Sequence, residues 1–194
     1  MSAHLSDVEA VREAAQAVGR VLGDQAYAII GGAGCALLGS PGTTTDVGID
    51  VPRGQTTEIR KLFKAQEGFV VEKRTLHTYF SSNPRVDIEI LTPPMLFKEE
   101  FDASTPTVRI GSAKVRKLAL LLNAKCHSIM GRGEAKRRSD AHDIAFLLRW
   151  CQEHGDLPKS EDCPRVTREF LEWYIAHFGG EEDWRNNGFD SHMR

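Results

Sequence analysis

The sequence predicts an α+β fold: a small mixed sheet with flanking helices, followed by a helical C-terminal part. Three observations lead there. Asp46–Val51 and Arg85–Leu91 alternate polar and apolar residues with the period of a half-buried strand. Tyr27–Val51 reads as a strand, a glycine turn, a short helix and a second strand. From Ser112 onward the apolar residues recur at helical spacing.

In order along the chain, Ser6 and Glu9 have capping-box spacing, and Val8, Val11, Ala15, Val18 and Leu22 continue as an amphipathic helix that Gly23 ends. Ala26–Ile30 is a short apolar strand stopped by Gly31–Gly32, and Cys35–Leu38 form a buried helix before a turn over Gly39–Thr45. Pro52–Gly54 ends the next strand. Thr56–Gln66 has helical spacing and is closed by Gly68. Phe69–Arg74, Leu76–Ser81 and Arg85–Leu91 are expected to form a meander. Pro93–Pro94 opens a short helix to Glu100, and Thr107–Ile110 is an edge strand. A long helix capped by Ser112 is predicted to run to Met130, followed by helices over Lys136–His154 and Pro164–His177. The expected division is a core over residues 1–111, a helical part over 112–180 and a loosely held tail over 181–194.

With 194 residues the chain has room for one domain, or a domain with a helical extension. Its net charge of −2, with 27% charged residues, excludes a protein that coats nucleic acid through global basicity. Lys114–Arg138 holds eight basic residues against Glu134 alone, a stretch that reads as a solvated helix face or a contact surface. Cys35, Cys126, Cys151 and Cys163 are widely spaced and form no CxxC pair, which argues against a disulfide framework or structural zinc and for a reduced, cytoplasmic setting. No eighteen apolar residues run together, so no membrane span is expected. His77, His127 and His142 have no partner at metal-ligand spacing, and Phe170, Trp150 and Trp173 read as core.

The glycines allow three phosphate-site readings. Gly32–Ala33–Gly34 starts like a dinucleotide fingerprint but has Leu37 where its third glycine belongs, and Gly34 to Gly39–Ser40 resembles a P-loop without the lysine. The third reading joins Gly31–Gly32 at a helix start to acidic strands that could hold a magnesium ion on the bound phosphates.

Ile30–Gly31–Gly32, thirteen residues, Asp46–Val47 on a strand and Asp87 on a later strand resemble the nucleotidyltransferase superfamily pattern of two glycines, a strand carboxylate pair and a third carboxylate. Lys125, Arg132 seven residues on, a basic cluster and Asp140-xx-Asp143 are similar to the C-terminal pattern of the AbiEii-like branch. The resemblance covers Ala26 to Leu148 and implies a nucleotidyltransferase-like sheet. It also implies transfer of a nucleotidyl group from a nucleoside triphosphate, with Mg²⁺ or Mn²⁺, to a small-molecule, protein or RNA acceptor. By position, Asp46 would be a metal ligand and Asp87 the third carboxylate, which helps deprotonate the acceptor. Gly31 and Gly32 would let phosphate approach, Ser40 would donate nearby, and Lys125 would contact the triphosphate.

Two departures stand against this. Gly48 occupies the place of the second strand carboxylate, and Gly42 replaces an arginine common four residues before the first aspartate. Asp50 faces the same way as Asp46, but four residues of strand separate them by roughly 13 Å, too far for one compact site. Glu89 lies only about 6–7 Å along its strand from Asp87. The expected set is therefore Asp46, Asp87 and Glu89, holding one metal in place of two. The alternative is a degenerate site that binds a nucleotide or small molecule, or catalyses a metal-independent reaction.

Overall fold

The computed structural model describes residues 6–93 and 100–190. The chain divides into two compact units, the first ending at Arg116 and the second beginning at Lys117.

The first unit is built on a seven-stranded mixed sheet in the order β3-β4-β5-β2-β1-β7-β6. Its centre is β1 (Ala28–Ile30), antiparallel to β2 (Asp46–Asp50) and parallel to β7 (Ala113–Arg116). β2 runs parallel to β5 (Val86–Leu91), which continues the sheet through β4 (Thr78–Phe80) and β3 (Phe69–Val71) as the expected antiparallel meander. β6 (Thr107–Ile110) pairs with β7 at the other edge.

One face of this sheet is the core. Tyr27, Ile29, Val47, Ile49, Val51, Val86 and Ile88 meet apolar residues of α1 (Asp7–Leu22), α2 (Gly31–Leu37) and α3 (Thr56–Lys64). α1 begins as the sequence implies: Glu9 Oε2 accepts from the Ser6 backbone N–H at 3.0 Å and from its hydroxyl at 2.6 Å. Because side chains alternate across a strand, burying Val47 and Ile49 turns Asp46, Gly48 and Asp50 to the opposite face.

The helix expected from Ser112 starts later. Ala113–Arg116 is strand β7, with Val115 opposite Ile29. Ser112 sits in the turn before it, where its hydroxyl donates to the Gln16 carbonyl at 2.7 Å. The lysine-arginine alternation of this strand merges into a leucine run, and periodicity alone placed both in one helix. The division between units accordingly follows Arg116. The short helix expected over Pro93–Glu100 falls mainly on residues 94–99, outside the described residues.

The second unit contains α4 (Leu118–Ile129), α5 (Glu134–His154), α6 (Arg168–Phe178) and α7 (Glu181–Asn186). Of the expected loose tail, the described residues 181–190 are packed. Trp184 is buried and lies edge-on to Tyr174 and Phe170, with ring centroids 5.3 and 5.9 Å away, and Asn187 Nδ2 donates to the Leu148 carbonyl at 2.9 Å. Two anchoring aromatics, Trp184 and Phe189, are too few to give a periodic signal. Among the described residues no helix is long and apolar enough to cross a membrane.

Candidate functional site

The face of the sheet turned away from α1 and α3 carries the strand carboxylates in register. Asp46 is the pairing partner of Asp87 across β2 and β5, and Gly48 is the partner of Glu89. Directly paired residues point to the same face, and neighbouring strands lie about 4.8 Å apart. Tyr79 of β4 pairs with Asp87 in turn, so Tyr79, Asp87 and Asp46 make one row across three strands.

The glycine turn reaches this row through Thr44. Gly31 has φ +64°, where a side chain would be strained, and a Cβ on Gly32 would come within 2.8 Å of the Thr44 side chain. The Thr44 hydroxyl donates to Asp46 Oδ1 at 3.3 Å. Arg12 of α1 fixes the far end of the turn by donating to the carbonyls of Ala36 at 2.7 Å and Ser40 at 3.1 Å. Ser40 is itself buried, and its Oγ accepts the Gly42 N–H at 3.1 Å. It shapes the loop, a different task from the ligand-donor role expected of it.

Asp87 has neighbours that sequence spacing did not reveal. His77 Nε2 lies 3.3 Å from its Oδ1 and Arg85 Nε 3.9 Å, yet that oxygen is shut off from solvent and accepts no hydrogen bond. His77 Nδ1 also lies 3.8 Å from Glu72, whose carboxyl is held below the usual range by the Thr75 hydroxyl and, more weakly, by His77. The Arg85 guanidinium sits 5.1 Å from the centre of the Tyr79 ring. The available signal was the alternation that puts His77 with Tyr79 and Arg85 with Asp87; the strand pairing that joins the two segments is a tertiary fact.

A side chain at Gly48 would start tight against Ile30. The cross-strand partner of Gly48 is Ile30, and a Cβ added to Gly48 would lie 3.3 Å from Ile30 Cγ1. Asp50, at the end of the same strand, is wholly buried and bonded to Arg116 Nη1 at 2.9 Å, a structural ion pair. Glu89 is exposed beside Gly48.

Among the described residues no group of three or more His, Cys, Asp or Glu side chains is placed to hold a metal ion. The expected three-ligand set of Asp46, Asp87 and Glu89 is thus not assembled as one centre, because Glu89 stands a full pleat along β5 from Asp87. The pair Asp46 and Asp87 does suit a magnesium ion that arrives on a triphosphate. Such ions take one or two protein carboxylates and complete their shell with phosphate oxygens and water. With Oδ1 enclosed, the 44% of the Asp87 side chain that is exposed is what would face such a shell.

In the helical unit, Lys125 is buried with its Nζ 2.7 Å from both Asp140 and Asp143, and Arg132 Nε lies 3.2 Å from the other oxygen of Asp140. The four residues of the C-terminal pattern therefore form one network tying α4 to α5. The ammonium expected to reach a triphosphate is held by two carboxylates.

No family model matches the chain, and no curated protein matches it. Solved structures do. JHP933 from Helicobacter pylori superposes with a TM-score of 0.57 at 13% identity, covering 95% of this chain and 82% of that one. An H. pylori protein provisionally named a nucleotidyltransferase also superposes with a TM-score of 0.57, at 14% identity, covering 94% of this chain and 84% of its own. At that identity the likeness speaks for the fold: the chain has a nucleotidyltransferase-like α+β fold.

Proposed function

We propose that the chain binds a nucleoside triphosphate and a divalent ion at Asp46 and Asp87 and transfers the nucleotidyl group to an acceptor hydroxyl. The in-register pairing of the two carboxylates on adjacent strands is the observation that carries this reading. A bound magnesium ion would neutralise charge on the phosphoryl oxygens. The acceptor oxygen forms a bond to the α-phosphorus, the bond to the bridging oxygen breaks, and pyrophosphate leaves. Asp87 draws the hydroxyl proton, and His77 and Arg85 hold its carboxylate in place from the neighbouring strand and its own strand. Thr44, packed against Gly32, orients Asp46, and the space open beside Gly31 leaves room for phosphate. Membership of the AbiEii-like branch belongs to the same proposal and is supported by the order of Lys125, Arg132, Asp140 and Asp143.

A second reading, nucleotide binding without transfer, is favoured by Ile30 beside Gly48, where a second carboxylate would stand. The test is incubation with each labelled nucleoside triphosphate and Mg²⁺ or Mn²⁺, in wild type, Asp87→Ala and Gly48→Asp. Labelled product in wild type that Asp87→Ala abolishes supports transfer. Product only from Gly48→Asp supports the second reading, and no metal-dependent nucleotide binding in any form removes both.

A further inference from the structure

The helical unit holds a cavity of about 890 Å³ lined by residues from the end of α4 and the start of α6, none of them part of the Asp46–Asp87 face. Its volume lies within the roughly 300–1,000 Å³ of small-molecule sites. Ser128, Arg132, Arg165 and Thr167 supply its polar lining, and Met130 and Pro164 supply apolar surface.

Two of the polar groups are fixed from behind by one buried carboxylate. Asp140 Oδ2 accepts from the Ser128 hydroxyl at 3.1 Å and faces Arg132 Nε at 3.2 Å. Arg132 spends its Nε on this contact while its side chain stays 43% exposed, so the outer edge of its fork is available. The backbone at Arg165 is pinned by its N–H donating at 2.8 Å to the buried Asn123, and its guanidinium makes no ion pair among the described residues. The acidic residue of the lining, Glu169, is turned to the first turn of α6, where its own backbone N–H and then the Thr167 hydroxyl hold its carboxyl below the usual range. His127 also lines the cavity.

We infer that this cavity binds a phosphorylated small molecule, with Arg132 and Arg165 as the two guanidinium donors and Met130 against the uncharged part. Planar guanidinium forks match phosphate oxygens two at a time, and holding Arg132 through its Nε lowers the ordering cost of using it. The apolar surface of Met130 and Pro164 beside the guanidinium groups favours an organic phosphate over the bare ion.

The test is isothermal titration of the full chain in EDTA, so that metal-dependent binding at Asp46 and Asp87 is silent. Inorganic phosphate, ribose 5-phosphate and AMP serve as separate probes. Ribose 5-phosphate or AMP should bind saturably, and more tightly than phosphate. Arg165→Gln should weaken that binding about tenfold or more, as loss of a charge-assisted bond does. Arg165→Lys should recover part of it, and Asp87→Asn should leave it unchanged. Arg165 is exposed and carries no ion pair, so the variant tests binding without endangering the fold. Binding of inorganic phosphate alone, no saturation by any probe, indifference to Arg165→Gln or loss in Asp87→Asn would each overturn the inference.

Discussion

Asp87 in the sheet unit and Asp140 in the helical unit are both aspartates with a basic partner, yet they live under different electrostatic regimes. The Asp87 side chain is 44% exposed, and its nearest basic side chains, His77 and Arg85, lie at 3.3 and 3.9 Å without a hydrogen bond to Oδ1. Asp140 and Asp143 are 6% and 5% exposed and meet Lys125 Nζ at 2.7 Å. Two carboxylates against Lys125 and Arg132 make a charge-balanced, dehydrated cluster. Asp46 and Asp87 stand side by side in register on the opposite kind of ground, a sheet face where Asp87 is half-exposed. Residue type assigns all of these groups to one chemistry, whereas burial and pairing separate a half-exposed carboxylate from one enclosed in a tight ion pair.

The contrast can be broken experimentally, starting with the helical cluster. Lys125→Ala leaves Asp140 and Asp143 buried without their ammonium and should destabilise the chain by about 3–5 kcal/mol in urea unfolding. A loss within about 0.5 kcal/mol, the range of an ordinary surface change, would mean that the cluster is solvated and the contrast is false. Gly48→Asp comes next. Its Cβ presses on Ile30 and should cost about 1–3 kcal/mol by the same measurement, the price of overpacking. Asp87→Asn should leave stability within about 0.5 kcal/mol, since the site is half-exposed. Its effect should fall on metal-dependent nucleotide binding, weakened about tenfold in a fluorescence titration.

The smallest effect concerns the helical core at alkaline pH. Burial pushes the Cys151 thiol up to about 12, while in the unfolded chain the thiol ionises near its ordinary value of 9.0. Above pH 9 the unfolded state loses a proton that the folded state keeps, so stability falls as pH rises and goes on falling until the folded thiol ionises. Between pH 9 and 10 the expected loss is about 1 kcal/mol, and Cys151→Ala should reduce it.

Much of the sheet unit was legible because alternation and glycine turns are local. Asp46–Val51, Arg85–Leu91 and the capped first helix lie where their patterns put them. The alternation at Ala113–Arg116 spans only four residues beside a leucine-rich helix, and the strand became visible only through Ile29 and Tyr27, nearly ninety residues earlier. That Asp46 and Asp87 belong together was implied by the family resemblance, and their register came from the structure. His77, Arg85 and Ile30 were not legible, because each enters through cross-strand register, which a single sequence does not encode locally. The ion pairs of Lys125 were hidden for a related reason: its two aspartates lie fifteen and eighteen residues on, in a different helix.

The packing of Ile30 against Gly48 also has a consequence for sequence change. A single substitution that restores a carboxylate at position 48 meets a crowded neighbour, so its effect depends on what stands at position 30. Gly48→Asp combined with Ile30→Ala, which removes the Cγ1 that the new Cβ meets, should therefore lose less stability than the two singles summed, by about 0.5 kcal/mol or more. The two positions are epistatic, and the route back to a paired-carboxylate strand runs through the isoleucine first.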